Sequence, residues 1–292
     1  MLLDLLRSLL KRGDDPGRPV ASPALAPAKA PELSTRILRD VPGTRRIIVQ
    51  SDYGPLVVNR HDNMIGRCVI ETGSWESAEI EQLRFIMQWR DGADADVEIL
   101  DVGANVGIHT LAFACFPGRR VTVHAFEAQQ EMLSMLRETI ALNGLANVHC
   151  HHRAVSDRSG EMLSFPAVDY DYASNFGALE LEPATVMDFD GRRVPGAVET
   201  VETLRIDDLG LTKARLFKVD VEGMENKVLA GARETIARCR PVMFIEYLKA
   251  DFAELKSFLD GAGYIAYDAQ RPNLLAVPVE MDEIRFEGAR RL

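Results

Sequence analysis

From residue 97 onward, short apolar runs alternate with segments of helical periodicity, and this alternation constrains the fold more than any other feature. The runs VEILDV, VTVHAFE, LFKVDV and PVMFIEY each precede a segment with apolar residues at helical spacing. Strands that alternate with helices form a parallel sheet covered by helices on both faces. We therefore predict an α/β fold with a doubly wound, mostly parallel sheet.

Two further strands, YIAYD and NLLAVP, close the chain and are joined by the short connection AQRPN. They predict a hairpin that adds one antiparallel strand at an edge of the sheet. Upstream of the alternation, RRIIVQSD and GPLVVNR flank the turn signal YGP and predict an N-terminal β-hairpin, while SAEIEQLRFIMQWRDG predicts a helix. These segments form an N-terminal β-hairpin and helix extension.

The pattern divides the chain into four regions and one insertion. Leucines at helical spacing predict an amphipathic helix at the N-terminus, and the Pro/Ala-rich segment after it predicts an extended linker. The predicted boundaries are 1–13 for the helix, 14–35 for the linker, 36–94 for an extension covering the site, 95–292 for the α/β domain, and 160–200 for an insertion predicted to be an acceptor-binding loop.

Composition excludes several classes of function. The formal net charge of −10 argues against a nucleic-acid partner. The sequence contains no run of 18 apolar residues, so no membrane span is predicted. The four cysteines form no C-x-x-C pair, as expected of reduced thiols in a cytoplasm. No signal-peptide cleavage pattern follows the first leucines, so we expect a cytoplasmic protein.

The amphipathic helix needs a surface for its leucines. Residues 1–12 are expected to contact the inner membrane surface, another protein or a second copy of the chain, which would make a homo-oligomer. Packing of this helix on its own domain is the alternative.

The loop after the first strand of the α/β domain reads D-x-G-x-N-x-G, with Asp101, Gly103, Asn105 and Gly107 at its fixed positions. It does not match the dinucleotide fingerprint G-x-G-x-x-G, which needs glycine two and five residues after the first one. An acidic residue before the first glycine disfavours a pyrophosphate and favours a ligand with positive charge and hydroxyls. S-adenosylmethionine is such a ligand. The alternative role for Asp101 is to cap the loop and the helix that follows.

Acidic residues end the strands of the predicted sheet, where ligands of such folds bind. Glu127 ends the second strand, and a carboxylate there can accept hydrogen bonds from both ribose hydroxyls. A solvated strand end is the alternative for Glu127. The acidic residues at or after the other strand ends are Asp101, Asp157, Asp220, Glu222 and Glu246.

ILDVGANVGIHTL, HAFEAQ, ALNGLANV and above all LFKVDVEGMENKVLAGA with RPVMFIEY resemble the FkbM family of S-adenosylmethionine-dependent methyltransferases. The resemblance runs from about residue 65 to 277, and departs from the family at Ala128, usually proline, and Met224, usually alanine. It implies the class I methyltransferase fold, which is Rossmann-like, with seven strands in the order 3-2-1-4-5-7-6 and strand 7 antiparallel. It also implies methyl transfer to oxygen, commonly on sugars, lipid-linked glycans or polyketides.

Donor-binding residues follow from the loop, the strand ends and the resemblance together. We predict that S-adenosylmethionine contacts Asp101, Gly103, Asn105, Gly107, Glu127, Ala128 and Asp157.

An alcohol must lose its proton during methyl transfer, so a base is expected near the end of the fourth strand. Asp220 and Glu222 are two residues apart and point to the same side. Either can be the base; the alternative is that Asp220 orders the loop and Glu222 caps the next helix. His109, in the helix after the glycine loop, is a third candidate, unless it is only a solvated first-turn histidine.

A metal site is not predicted. Asp220 and Glu246 are two carboxylates, whereas a hard divalent cation prefers about six oxygen ligands, and the sequence shows no third protein ligand. The run VHCHHRAV lacks the paired ligand spacing of a zinc site.

The acceptor is predicted to be a small molecule or a glycan. Within the insertion, Tyr172, Asn175 and Phe176 are of types that suit sugar recognition, and Trp75 and Glu246 are expected to complete the acceptor site. The alternative is a surface loop with incidental aromatics.

Other functions stay open at this point. They are N-methylation, metal-assisted methyl transfer on the same fold, and a catalytically inactive binding module. A base-modifying nucleic-acid methyltransferase is disfavoured because the fourth strand ends in DVEG rather than a Pro-Pro-aromatic run.

Overall fold

The computed structural model describes residues 36–40, 42–91, 96–116, 120–181, 192–269, 272–281 and 290–292. The predicted helix 1–13, the linker 14–35 and the contact through residues 1–12 lie outside the described residues and stay predictions.

Helices and strands alternate through the described chain as the sequence predicted. The strands are β1 (Ile37–Asp40), β2 (Arg46–Ser51), β3 (Gly54–Asn59), β4 (Asp96–Val102), β5 (Arg120–Glu127), β6 (Val148–His152), β7 (Ala154–Val155), β8 (Met162–Val168), β9 (Arg193–Leu204), β10 (Ala214–Val219), β11 (Val242–Glu246), β12 (Tyr264–Asp268) and β13 (Asn273–Pro278). The helices are α1 (Ile65–Thr72), α2 (Ser77–Asp91), α3 (Ile108–Ala114), α4 (Gln130–Leu142), α5 (Glu225–Ala230), α6 (Arg233–Cys239) and α7 (Phe252–Gly261).

A seven-stranded sheet forms the centre of the fold, with the order β12-β13-β11-β10-β4-β5-β6. The five strands from β11 to β6 pair in parallel, and β13 pairs antiparallel with both of its neighbours. This is the strand order that the resemblance implied. The predicted hairpin is confirmed, because β12 and β13 pair antiparallel at one edge of the sheet, with β13 one strand in from that edge. Every residue of β13 is buried, so the strand gains more apolar burial inside the sheet than at its margin.

The two faces of the sheet bury different helices. Leu83 of α2 and Phe113 of α3 pack with Phe244 on one face, while Leu229 of α5 and Leu255 of α7 pack with Phe217 on the other. Because both faces are covered, the central strands read as continuous apolar runs rather than as alternating ones.

The N-terminal extension forms a small antiparallel sheet in the order β1-β2-β3, which confirms the hairpin predicted for residues 46–59. It packs on α4 of the large domain. The Val57 amide donates a hydrogen bond of 3.1 Å to the Thr139 hydroxyl, and Arg46 forms an ion pair of 2.9 Å with Glu131. The helix predicted for SAEIEQLRFIMQWRDG is α2, whereas α1 was not predicted.

The insertion over 160–200 is not a simple loop. Its ends form β8 and β9, which pair antiparallel over Met162–Pro166 and Val198–Glu202, and β9 also pairs with β7. The prediction missed these strands because exposed charged and small residues dilute their apolar alternation. Residues 182–191 lie outside the described part.

Among the described helices, none combines the length and the apolar character needed to cross a bilayer.

Close packing at Gly231 gives a test of how the loop after β7 is held. A Cβ atom at Gly231 would overlap the carbonyl oxygen of Ser156, whereas a Cβ at Gly261, the last residue of α7, would meet no atom within 4 Å. Neither glycine has a positive φ. Gly231→Ala is expected to destabilise the protein by about 1–3 kcal/mol, and Gly261→Ala to be neutral or stabilising by up to about 1 kcal/mol. Urea unfolding measures both, and equal effects would contradict this packing.

Candidate active site

A cavity of about 370 Å³ opens at the carboxyl ends of β4, β5, β10 and β11. This is where the sequence placed the ligand site. Its floor is the glycine loop after β4, and its walls come from the extension, from the segment after β10 and from the insertion.

The glycine loop is shaped by backbone conformations that favour glycine. Gly103 and Gly107 have φ values of 81° and 94°, and Asn105 between them has a φ of 51°. A Cβ at Gly103 would overlap the carbonyl oxygen of Asp220, so the loop after β4 and the end of β10 lie in direct contact. Gly103, Ala104 and Asn105 line the cavity.

Glu127, the last residue of β5, is buried at the edge of the cavity. One carboxylate oxygen accepts a hydrogen bond of 2.8 Å from the Asn105 amide, and the other accepts one of 2.8 Å from the Gln129 amide. Burial raises the pKa of the Glu127 carboxyl to about 7, against the effect of these backbone donors. Each oxygen keeps a second lone pair for a ligand hydroxyl.

The other predicted donor residues divide into two groups. Ala128 lines the cavity beside Glu127. Asp101 and Asp157 lie outside the cavity lining. The buried Asp101 carboxylate accepts a hydrogen bond of 2.5 Å from the Thr110 hydroxyl in α3, so it contacts a side chain of this helix rather than capping it, and the N-cap position is Gly107. Gly107, with Leu136 packed against it, lies beneath the loop rather than at the cavity surface.

Lys218 in β10 is one of the cavity residues that were not predicted from the sequence. Its side chain is buried, and its ammonium group donates to the Gly103 carbonyl oxygen at 3.2 Å and to Asp220 at 3.1 Å. Asp101 lies 4.0 Å away on the other side. Burial alone would lower the pKa of Lys218, but Asp220, Asp101 and Glu76 raise it, so the lysine is charged. A lysine within an apolar strand is the signal that could have revealed it.

Asp220, Glu222 and Glu246 converge at the opposite end of the cavity, with carboxylate oxygens within 4.8 Å of one another. Asp220 is paired with Lys218, and Glu222 forms an ion pair of 2.9 Å with Lys249. The structure thus brings the two predicted base candidates together with the residue predicted for the acceptor.

The capping alternative for Glu222 was wrong. The Glu225 carboxylate instead accepts hydrogen bonds from the Val221 and Gly223 amides, at 3.2 and 3.1 Å, and so orders the turn before α5. Glu222 has a φ of 54° and lines the cavity.

The three carboxylates supply the third acidic group that the sequence did not reveal for a cation site. Two of them already have ammonium partners, however, which supply the positive charge that a metal would otherwise bring. We assign no metal to this cluster.

His109 lines the cavity near the start of α3, and its Nε2 atom lies 3.3 Å from a carboxylate oxygen of Glu76. Although burial acts to raise the pKa of Glu76, hydrogen bonding to His109 and the charge of Lys218 lower it overall. Glu76 was not identified from the sequence, because it precedes a helix far from the acidic strand ends.

The predicted acceptor residues are only partly brought together. Trp75, Asn175 and Glu246 line the cavity. Phe176 is fully buried and stacks at a tilt on Tyr170, so it belongs to the core. Tyr172 is 49% exposed and lies outside the cavity, beneath the Arg192 guanidinium. Sequence alone could not separate these three neighbours because the insertion turns sharply between them.

Comparison with known proteins agrees with this geometry. Residues 101–266, more than half of the chain, match the Methyltransferase FkbM domain. The chain belongs to the FkbM methyltransferase family. The resemblance read from the sequence is thereby confirmed, and the family is one of S-adenosylmethionine-dependent methyltransferases.

Two curated proteins of this kind are similar to the chain. The 2-O-methyltransferase NoeI of Sinorhizobium fredii is 27% identical over 56% of this chain and 70% of its own length. The 31-O-demethyl-FK506 methyltransferase FkbM of Streptomyces tacrolimicus is 29% identical over 60% of this chain and 75% of its own length. The crystal structure of an FkbM methyltransferase from Methylobacillus flagellatus is 18% identical, with a TM-score of 0.44, over 63% of this chain and 44% of that one.

Within this FkbM-family site, Lys249 connects two walls of the cavity. Its ammonium group lies 3.0 Å from Glu180 in the insertion, 3.0 Å from the Ala178 carbonyl oxygen and 2.9 Å from Glu222. The insertion is therefore held over the acidic cluster by a cation from the loop after β11.

Removal of the Lys218 charge is expected to be costly, because it leaves Asp101 and Asp220 without their shared cation in a buried place. Lys218→Met should lower the free energy of unfolding by about 3–5 kcal/mol. Lys213→Met removes a lysine whose partner, Asp96, is at the surface, and should change stability little. Denaturant unfolding of both variants measures this; a Lys218→Met protein as stable as the Lys213→Met control would show that the buried ammonium is not needed.

Proposed function

We propose that this chain transfers a methyl group from S-adenosylmethionine to a hydroxyl oxygen of a small-molecule or glycan acceptor. The observation that carries the proposal is the cavity itself. It joins a glycine loop and the buried Glu127 at one end to a cluster of three carboxylates at the other.

The residues present fit the methyl donor. Glu127 has lone pairs left over for the two ribose hydroxyls after its two backbone hydrogen bonds. Gly103 lets the loop backbone lie against the Asp220 carbonyl oxygen, where the Cβ atom of any other residue would collide, and the loop presents Gly103, Ala104 and Asn105 to the cavity. A volume of about 370 Å³ falls within the usual range for small-molecule sites.

The charge of the cavity also selects the donor. Five acidic side chains and three basic ones line it. An excess of carboxylates repels a pyrophosphate and attracts a ligand that carries an ammonium and a sulfonium group. This supports the methyl donor over a nicotinamide dinucleotide.

When bound, S-adenosylmethionine supplies a methyl group on a positively charged sulfur. The chain's own residues then have three tasks: to hold the acceptor in line, to exclude water and to take the hydroxyl proton. Trp75 and Asn175 offer an apolar surface and an amide for the first task, since both line the cavity. The acidic cluster is suited to the last.

Oxygen is favoured over nitrogen as the methylated atom for two reasons. The names of both curated relatives specify an oxygen. A hydroxyl also needs a base at the moment of transfer, and three of the five acidic side chains that line this cavity form one cluster. The rim of the cavity includes Met64 and Leu248, which are 42% and 62% exposed. These apolar side chains suit an acceptor molecule that is itself partly apolar.

Loss of the Glu127 carboxylate should weaken donor binding. Glu127→Ala is expected to cost about 1–3 kcal/mol in the binding of S-adenosylmethionine, the scale of a lost hydrogen bond to a charged group. Isothermal titration calorimetry measures it, with Glu161→Ala on the exposed surface as control and NAD as the competing ligand. Unchanged donor affinity in a folded Glu127→Ala protein, or tighter binding of NAD, would place the donor elsewhere.

Methyl transfer should be detectable with a labelled donor. Incubation with methyl-tritiated S-adenosylmethionine and either 31-O-demethyl-FK506 or a set of alkyl glycosides is expected to give a labelled product whose methyl group is an ether by NMR. Matched amino sugars serve as the nitrogen control. Label on amines alone would replace O-methylation by N-methylation, and donor binding without transfer to any acceptor would favour an inactive binding module.

A further inference from the structure

We infer that Glu246 is the group that accepts the proton of the acceptor hydroxyl, and that binding of the cationic methyl donor is what ionises it. The inference rests on the proposed function and deepens it, because it assigns the base to a residue other than Asp220 or Glu222.

The position of Glu246 sets it apart from the other two carboxylates. It is the last residue of β11, at the carboxyl end of the sheet, and it lines the cavity. Asp220 is held by Lys218, and Glu222 by Lys249. Within the described part of the chain, no hydrogen bond or ion pair joins the Glu246 carboxylate to another group. A base must have a lone pair free for the proton it takes, and Glu246 meets that condition best.

Several charged groups and one uncharged amide lie around Glu246. Asp220 and Glu222, at the end of β10, lie within 4.8 Å of it. Lys218 in β10, Glu76 before α2 and Lys249 after β11 also line this end of the cavity. His109 contacts Glu76, and β13 contributes Asn273, which has no charge, opposite Glu246 in the sheet.

These surroundings disfavour a negative charge on Glu246 before the donor binds. Burial first, and then the charges of Asp220 and Glu222, raise the pKa of Glu246 to about 8. The three carboxylates and the two lysines of the cluster would together carry one negative charge if all were ionised. Retention of a proton on Glu246 makes the cluster neutral.

A cationic ligand in the same cavity changes that balance. An opposite charge nearby favours the ionised form of a carboxyl group and typically lowers its pKa by about 1–3 units. The positively charged sulfur of the donor therefore favours release of the Glu246 proton to solvent. The enzyme would become basic only when a methyl group is present to be transferred.

The transfer step then balances. The acceptor oxygen forms a bond to the methyl carbon while its O–H bond breaks, and the proton passes to the Glu246 carboxylate. The carbon–sulfur bond breaks with both electrons left on sulfur, which becomes neutral. Loss of the positive charge on sulfur raises the proton affinity of Glu246 again. After the reaction Glu246 therefore holds a proton and the cluster is neutral, as it was before the donor bound.

The other base candidates are weaker on the same grounds. The ammonium groups of Lys218 and Lys249 lie 3.1 and 2.9 Å from the Asp220 and Glu222 carboxylates and occupy lone pairs that would otherwise take the proton. His109 contacts Glu76, which lies on the wall contributed by the extension. Asp220 and Glu222 act instead as positioning residues that set the charge around Glu246.

Proton release on binding tests the inference without an identified acceptor. Calorimetric titrations with S-adenosylmethionine and with S-adenosylhomocysteine, which lacks the positive charge on sulfur, are run near pH 7.5 in buffers of different ionisation enthalpy. We expect the wild-type protein to release at least about half a proton more with S-adenosylmethionine than with S-adenosylhomocysteine. This difference is measured relative to the same difference in Glu246→Gln. Ionisations of the ligands themselves cancel in that comparison. Glu254→Gln, an exposed glutamate on α7, should behave like the wild type.

The outcomes separate the inference from the proposed function. If neither ligand binds, the proposed function fails. If both bind and the difference in proton release is the same in wild type and Glu246→Gln, only the inference is overturned. Binding of S-adenosylhomocysteine to Glu246→Gln also shows that this variant is folded.

A pH profile gives a second readout with any acceptor that is methylated. Turnover by the wild type should rise with pH through one ionisation, and Glu246→Gln should lose that ionisation and about 100-fold or more in kcat. The KM for the donor should also rise, because a donor that favours the ionised form of Glu246 is in turn bound more tightly by that form. Retention of the ionisation in Glu246→Gln and its loss in Asp220→Asn, Glu222→Gln or His109→Asn would move the base to that residue.

Discussion

The ammonium group of Lys218 is the interaction on which the rest of the site depends. It lies buried between β4 and β10 and contacts the Gly103 carbonyl oxygen, Asp220 and, at 4.0 Å, Asp101. A buried charge is stable only with opposite charges around it. Movement of Asp220 or Asp101 away from Lys218 would leave the ammonium group buried and unpaired. One cation thus connects the loop proposed to bind the donor to the acidic group at the reacting end.

The carboxyl groups that line the cavity differ in their charged partners and in their hydrogen bonds. Lys218 pairs with Asp220, and Lys249 pairs with Glu222. Of the three clustered carboxylates, only Glu246 has no hydrogen-bond or ion-pair partner among the described residues. Glu127, at the other end, is desolvated but held by two backbone amides. Four of the five acidic side chains that line the cavity thus have different environments, and environment rather than residue type distinguishes the roles proposed for them.

The sequence predicted the fold well because the fold rests on periodicity. The alternation of strands and helices, the glycine loop and the placement of Glu127 at a strand end were all readable from local pattern. What could not be read depends on contacts between distant segments: the direction in which Asp101 points, the burial of Phe176 beside exposed Tyr172, and the pairing of Lys249 with Glu222. The position of β13 inside the sheet became clear only from the resemblance, since a hairpin signal does not say which strand lies outermost.

The central claim is that one cavity brings the methyl donor to the acidic cluster. A crystal structure of the protein with S-adenosylhomocysteine tests it most directly. We expect the ribose hydroxyls within hydrogen-bond distance of the Glu127 carboxylate and the sulfur facing the end of the cavity formed by Asp220, Glu222 and Glu246. A ligand bound outside this cavity, or one whose sulfur faces away from the three carboxylates, would contradict the account.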